Sequence, residues 1–192
     1  MSSRQQPLLV AVVGVGLVGS ELIHQLLSIA PQSSPFKLIS LTSSSRTLFA
    51  GKDQPITADK LSEWKSTLAS SNAASDLKQL TAQLSSLVKE KESVALVDNT
   101  SSDEVASYYP TWLKEGIHVV TPNKKAFSGK KELYEAILKA TEETSAKFFN
   151  ESTVGAGLPV IAPLKELLAT GDKVTLVLVN FVYTTRSIGF RS

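Results

Sequence analysis

Cysteine is absent from the 192-residue sequence. This absence excludes a disulfide framework, a thiolate zinc site and a cysteine nucleophile. The formal net charge is only +2, and the lysines and arginines are dispersed among acidic residues, so there is no basic stripe for nucleic acid. No apolar run approaches the roughly 20 residues that span a bilayer, and the N-terminal apolar run meets glycine after about seven residues, too early for a signal peptide. We therefore expect a cytoplasmic protein with no nucleic-acid or membrane partner.

Strand and helix patterns alternate along the chain, whose length permits one substantial core rather than two full domains. Short apolar runs predict strands at 7–13, 36–42, 93–99, 117–121 and 146–150. Amphipathic periodicity predicts helices at 18–30, 59–69, 76–89, 103–115, 130–144 and 158–169. Such alternation favours parallel strands joined by right-handed crossovers, with helices on both faces of the sheet.

Three glycines, Gly14, Gly16 and Gly19, lie between the first predicted strand and the first predicted helix in the spacing G-x-G-x-x-G. In this context the first glycine permits a tight turn, the second lets the backbone approach a pyrophosphate, and the third lets strand and helix pack closely. The alternative is a glycine turn without a ligand, which the strand–turn–helix context disfavours. We expect an α/β fold with a Rossmann-like doubly wound parallel sheet and a dinucleotide site.

The second predicted strand ends in "LTSSSR" rather than in a carboxylate. An Asp or Glu about 20 residues after the glycines usually binds the ribose 2′-hydroxyl of NAD. Ser43 to Arg46 are suited instead to a 2′-phosphate, which favours NADP, with NAD as the alternative. A solvated loop arginine is an equally open interpretation of Arg46.

Two further strands end in polar motifs, "VDNTSS" and "TPNKKAF". Ligands of open α/β sheets bind at this carboxyl edge. Thr100 and Ser101 are candidates for cofactor contact, while Ser102 or Asp103 is suited to cap the following helix. Lys124 could place an ammonium group near a carbonyl substrate or a nicotinamide, although spacing alone favours a surface lysine before a helix.

Four segments in order, "VAVVGVGLVGS", "LVDNTSS", "TPNKKAFS" and "NESTVGAGLPVI", resemble homoserine dehydrogenase, most closely the monofunctional fungal type. The resemblance runs from about residue 8 to residue 175. It implies an oxidoreductase that reduces aspartate 4-semialdehyde to homoserine with NAD(P)H, in the pathway to threonine, isoleucine and methionine. Aspartate-semialdehyde dehydrogenase, which acts on the same aldehyde, needs the cysteine nucleophile that this chain lacks.

The resemblance also implies a set of site residues. Those around the cofactor phosphates would be Gly14, Val15, Gly16, Leu17, Val18 and Gly19. Those beside the ribose and nicotinamide would be Thr100, Ser101, Pro122 and Lys124. Lys124 would act as a catalytic residue that orients the substrate or assists proton transfer to the developing alkoxide.

A monovalent cation such as Na⁺ is a further implication of the resemblance. Its ligands would be Glu151 and the backbone carbonyls of Val154, Ala156 and Leu158. The residues alone favour another interpretation, a glycine-bent loop that caps the helix at 158–169 with Pro159 in its first turn.

The resemblance ends after about Thr175. We expect an NAD(P)-binding domain at 1–150, the start of the connection to a substrate domain at 151–175, and a tail outside the family at 176–192, the apolar part of which would pair with a sheet edge or aggregate. Such a chain would be a truncated enzyme with little or no activity alone. A frameshift, a retained intron or a wrongly assigned exon boundary would account for the change of sequence after Thr175. The alternatives are a non-catalytic NADP-binding module and a gene-model artefact. The homodimer that the family implies is doubtful for this chain.

Overall fold

A six-stranded sheet organises the first part of the protein, in the order β3-β2-β1-β4-β5-β6. The structure, a computed structural model, describes residues 6–30, 33–155 and 158–171. It divides after Asn150 into two compact units, which are described separately. The predicted tail at 176–192, its apolar segment and Ala156 lie outside the described residues.

The sheet belongs to the first unit. Neighbouring strands pair in parallel, except that β3 pairs antiparallel with β2. The strands are β1 (Leu8–Val13), β2 (Phe36–Thr42), β3 (Thr47–Phe49), β4 (Val94–Asp98), β5 (His118–Val120) and β6 (Phe148–Phe149). The helices of this unit are α1 (Leu17–Ser28), α2 (Trp64–Ala69), α3 (Leu77–Lys89), α4 (Asp103–Ser107), α5 (Tyr109–Lys114), α6 (Lys125–Ser128) and α7 (Lys131–Glu143). The expected Rossmann-like doubly wound α/β fold is confirmed.

Alternate residues of β1 serve opposite faces of the sheet. Leu9, Ala11 and Val13 pack into a core with α3, α4, α5 and α7, whereas Val10 and Val12 pack into a second core with α1 and α2. Burying a large aliphatic side chain contributes about 1.5–3 kcal/mol. The central strand is therefore stabilised from both sides, as expected for a parallel strand covered by helices.

The segment after β2 differs from the predicted loop because it contains β3. The amide of Ser43 donates to the carbonyl of Arg46, which closes a tight turn, and β3 then returns antiparallel to β2. A three-residue strand is too short for an alternating pattern to reveal it.

The predicted helix at 103–115 is wrong in one respect, because the structure breaks it at Tyr108 into α4 and α5. Pro110 has no amide hydrogen and its ring clashes with the preceding turn, so a continuous helix cannot pass through it. Between β5 and the predicted helix at 130–144 the structure adds a short helix, α6.

The second unit contains a 3₁₀ turn (Glu151–Thr153) followed by helix α8 (Ile161–Ala169). The sequence pattern placed the start of this helix at Leu158 with Pro159 in its first turn, and the structure corrects both points. Within the described residues, no helix combines the length and apolar character needed to cross a membrane.

Candidate functional site

A large cavity opens where the strand order reverses. β1 lies between β2 and β4, so the crossovers on its two sides leave in opposite directions and a crevice forms at the carboxyl ends of these strands. The cavity has a volume of about 1050 Å³. It is lined by the turns after β1, β2 and β4 and by the starts of α3 and α4, including Val13, Gly14, Val15, Gly16, Ser43, Ser44, Asn99, Thr100, Ser101 and Ser102.

The three glycines of the turn after β1 have different neighbours. Gly14 adopts φ +86°, and a Cβ there would lie 2.7 Å from Thr100 Cγ2. A Cβ on Gly19 would lie 1.9 Å from the carbonyl oxygen of Gly14, so only glycine permits α1 to approach β1 this closely. A Cβ on Gly16 would have no atom of another described residue within 4 Å, apart from its chain neighbours. Gly14 and Gly19 are required by packing, whereas Gly16 leaves space open in the cavity wall.

Helix α1 begins at this turn without a cap. Gly16 at its N-cap offers no side-chain hydrogen bond, and its first turn carries no acidic residue. By contrast, Asp76 caps α3 by accepting from the amides of the second and third helical residues, and Ser102 caps α4 by accepting from Val105 N at 3.3 Å. Among these three helix starts at the cavity, α1 retains its amides and its partial positive charge for an anion.

The first-turn residues of α1 that the resemblance assigned to the cofactor do not line the cavity. The side chains of Leu17 and Val18 are 94% and 62% exposed, respectively. Their contribution to an anion site would come from the backbone. Thr100 and Ser101 do lie on the cavity wall, and Ser102 is the helix cap that the sequence had left open between Ser102 and Asp103.

Arg46 lies outside the large cavity. It lines a neighbouring pocket of about 460 Å³, together with Ser43, Ser45 and Lys65. Its guanidinium Nη1 donates a hydrogen bond to the carbonyl of Ser71. Because a guanidinium has five N–H donors, this bond leaves others for a ligand. Ser43 lines both spaces and so connects the pocket with the large cavity.

The turns after β4 and β5 are joined by a buried polar cluster. Asp98 and Asn123 are 0% and 3% exposed, and Asn123 Nδ2 donates to Asp98 Oδ2 at 3.0 Å. Tyr109 also donates its hydroxyl hydrogen to Asp98 Oδ2, and Thr121 Oγ1 donates to the Asp98 carbonyl at 3.1 Å. The cluster therefore fixes the ends of two adjacent strands.

Tyr109 is the titratable group that this cluster perturbs. Burial, and then the negative charge of Asp98, raise the pKa of its phenol above the usual range. A raised pKa keeps the hydroxyl protonated, so it remains a hydrogen-bond donor to the carboxylate at neutral pH.

Lys124 and Pro122 lie in the turn after β5, next to this cluster. Pro122 is half-buried, whereas Lys124 is exposed and occupies the N-cap position of α6. The neighbouring Lys125 pairs with Asp103 at 3.0 Å, and Lys124 forms no ion pair with a described residue. The ammonium group of Lys124 is therefore the available cation of this motif.

Glu151, in the second unit, holds the start of α8. Its Oε1 accepts from the amides of Val160 and Ile161 at 2.6 and 2.8 Å, and its Oε2 accepts from Ala162 N at 3.0 Å. These bonds satisfy amides at the start of the helix, which begins at Ile161 rather than at the predicted Leu158. The sequence alone predicted a glycine-bent loop before this helix and gave Glu151 no capping role. Val154 is half-buried and Leu158 is exposed in the same loop.

Sequence reasoning missed four residues of these sites, namely Asp98, Tyr109, Asn123 and Lys65. Asp98 and Asn123 carried a usable signal, because each is a polar residue at the end of an apolar strand. Tyr109 and Lys65 carried none, since each reaches its position only through the packing of a neighbouring helix.

This fold and cavity define a Rossmann-like domain of the dinucleotide-binding class. The family model "Homoserine dehydrogenase, NAD binding domain" matches residues 14–151, which is more than half of the chain. The chain therefore belongs to the homoserine dehydrogenase family.

Relatives and solved structures agree with this assignment. Homoserine dehydrogenase of Schizosaccharomyces pombe is 38% identical over 179 residues, which cover 91% of this chain and 46% of the relative. A crystal structure of a Candida auris protein of unknown function has a TM-score of 0.75 at 35% identity and covers 88% of this chain and 46% of that one. A mutant hyperthermophilic archaeal homoserine dehydrogenase in complex with NADPH has a TM-score of 0.59 at 30% identity, covering 84% and 49%. The chain spans about half the length of the curated relatives it matches.

The glycine geometry predicts opposite outcomes for two alanine substitutions. Gly19→Ala places a methyl group against the Gly14 carbonyl and should lower the free energy of unfolding by at least about 3 kcal/mol. Gly16→Ala meets open space and should cost no more than about 1 kcal/mol. Urea unfolding followed by circular dichroism measures both, and equal losses would contradict the assignment of Gly19 to packing.

Proposed function

We propose that this chain is the cofactor-binding part of an NAD(P)-dependent homoserine dehydrogenase. The observation that carries the proposal is the cavity at the strand-order reversal, where the uncapped start of α1 faces the same space as Thr100 and Ser101. A dinucleotide would place its pyrophosphate at the α1 amides, beside the open space at Gly16. The domain boundaries at 150 and 175 belong to the same proposal.

The reaction would be hydride transfer between the nicotinamide and the aldehyde carbon of aspartate 4-semialdehyde. The cofactor supplies the hydride, and this part of the enzyme would bind and orient the cofactor. Thr100, Ser101 and Pro122 would hold the ribose and nicotinamide. Lys124, whose ammonium has no ion-pair partner among the described residues, would stabilise or protonate the alkoxide that forms on reduction.

The preferred cofactor is NADP. A 2′-phosphate is an anion, and the pocket beside the large cavity presents Arg46 and Lys65 with the hydroxyls of Ser43 and Ser45. Charge-assisted hydrogen bonds to such a group are stronger than neutral ones. Among the described residues that line this pocket there is no carboxylate, which would repel a 2′-phosphate and bind the 2′-hydroxyl of NAD instead.

The monovalent cation is the last element of the proposal. Glu151 and the carbonyls of Val154, Ala156 and Leu158 are oxygen ligands, which suit a hard cation. The Glu151 carboxylate also accepts three amides of α8, although a carboxylate has about four lone-pair sites. Cation binding and helix capping therefore draw on the same two oxygens.

Cofactor binding is the first expected result. Saturation with NADPH at about 100 times Kd should stabilise the chain by about 2.7 kcal/mol, or roughly 5–10 °C in the melting temperature. Gly16→Ala should remove most of this shift, because its methyl group occupies the proposed approach of the pyrophosphate. Thermal unfolding measures the shift, and a chain that melts identically with and without NADPH would refute cofactor binding.

The same samples test turnover, through absorbance at the nicotinamide band after addition of homoserine and NADP⁺. We expect binding with little or no turnover, because the chain corresponds to under half of the length of the curated enzymes. Rapid reduction of NADP⁺ would contradict this expectation and would show that the chain suffices for catalysis without the remaining length of its relatives.

Cofactor selectivity should depend on the two cations of the small pocket. Arg46→Ala and Lys65→Ala should each weaken NADPH binding about tenfold, the loss of one charge-assisted hydrogen bond. Binding of NADH should change little, since it lacks the 2′-phosphate. Lys139→Ala, on the exposed face of α7, is the control. Equal effects on NADPH and NADH in isothermal titration calorimetry would argue against the phosphate pocket.

The cation is tested by the relaxation of ²³Na in nuclear magnetic resonance. Bound Na⁺ should broaden the signal, and Glu151→Gln should abolish the broadening because the ligand loses its charge. Glu166→Gln, on the exposed part of α8, should leave it unchanged. A signal that responds identically to both variants would leave Glu151 with its capping role alone.

A further inference from the structure

One buried carboxylate ties together the turns after β4 and β5. Asp98 Oδ2 accepts a hydrogen bond of 3.0 Å from Asn123 Nδ2 in the second turn. The other oxygen, Oδ1, accepts from the backbone amide of Thr100 in the first turn at 2.7 Å. The Asp98 side chain therefore fixes the backbone of the turn after β4 and also holds Asn123 in the turn after β5.

Asn123 is the second half of this joint. Besides its bond to Asp98, its Nδ2 donates to the carbonyl of Ser102 at 3.0 Å, and its Oδ1 accepts from the amide of Lys125 at 3.1 Å. Both polar atoms are used, which defines the orientation of the side-chain amide. Because Lys125 begins α6, the same side chain also sets the helix start where Lys124 lies.

Asp98 is fully buried. Its side-chain bonds come from the Thr100 amide, the Asn123 amide and the Tyr109 hydroxyl, and no ion pair among the described residues includes it. Burying a charge without a counter-ion is costly, and an apolar pair of similar volume would often be as stable. The arrangement is therefore better explained by the geometry it imposes than by stability.

We propose that Asp98 and Asn123 are a positioning pair that sets Thr100 and Lys124 relative to each other and thereby shapes the nicotinamide half of the cofactor site. This inference rests on the proposed cofactor binding. It assigns neither residue a contact with the cofactor. The described residues that line the pocket proposed for the adenosine 2′-phosphate include neither Asp98 nor Asn123, so binding of the adenosine half should be independent of the pair.

The test compares NADPH with 2′,5′-ADP, which carries the adenosine and its 2′-phosphate but no nicotinamide. Asp98→Asn and Asn123→Ala each break the joint. Each should weaken NADPH binding about tenfold, or 1.4 kcal/mol, and change 2′,5′-ADP binding less than about twofold. Isothermal titration calorimetry on the full chain gives both dissociation constants.

A reciprocal exchange provides the rescue. The double variant Asp98→Asn with Asn123→Asp reverses donor and acceptor and restores one hydrogen bond between the turns. It should recover a large part of the NADPH affinity. Thr81→Val is the matched control, because it breaks a partly buried 2.7 Å bond from Trp112 Nε1 in the same unit without touching either turn. It should lower stability and leave the ratio of the two affinities unchanged.

The outcomes separate this inference from the proposed function. A wild-type chain that binds neither ligand would refute both. A chain that binds both ligands, with the affinity ratio unaltered in the single variants, would overturn the positioning pair alone. Asn123→Ala leaves Asp98 with two of its three side-chain partners, so it keeps the test decisive if Asp98→Asn does not fold.

Discussion

The close approach of Gly14 and Gly19 is the constraint on which the cavity depends. No side chain fits between the Gly14 carbonyl and α1, so the helix starts directly above the end of β1. This contact places the uncapped amides of α1 at the cavity that opens at the carboxyl ends of β1, β2 and β4. Without it, α1 would have to move away from the strand, and the cavity would lose its positively polarised wall. The same two residues thus set both the packing of α1 and the shape of this cavity wall.

The other wall of the cavity is held by hydrogen bonds rather than by van der Waals contact. The turns after β4 and β5 carry few apolar side chains, and their backbone is fixed by Asp98, Thr121 and Asn123, all of them buried. Such a cluster is directional, so it specifies one arrangement of the turns. Close steric packing therefore fixes one wall of the cavity at the strand-order reversal, and a hydrogen-bonded polar cluster fixes the other.

The sequence predicts the periodic parts of this molecule well. Alternation of strand and helix, the glycine turn and the doubly wound sheet all follow from local patterns, because each element buries a face of recognisable period. The misses have local causes. β3 is too short to show a period, and Pro110 breaks the helix near Tyr108 within an otherwise helical pattern.

Site residues divide in the same way. Gly14, Gly16, Thr100 and Ser101 were predictable because they adjoin strand ends, which the fold brings to one edge. Arg46 lies in the turn between β2 and β3, where it forms a β-bridge with Ala74. Its separate pocket depends on α2, whose position no local pattern specifies. Tyr109 joins Asp98 across the fold through tertiary packing alone.

The pairing of β1 with β4 has a consequence for the order in which the protein is made. Val13 pairs with Asp98, about 85 residues later in the chain. During synthesis the glycine turn therefore emerges long before β4, the strand that completes its cavity. Until β4 is made, β1 can pair only with β2, and the sheet is incomplete. Contacts of such long sequence separation form slowly. The cavity at the strand-order reversal can be completed only after the ribosome has passed Thr100. Until then the apolar edge of β1 is open to other partners, which makes this interval the vulnerable stage of folding.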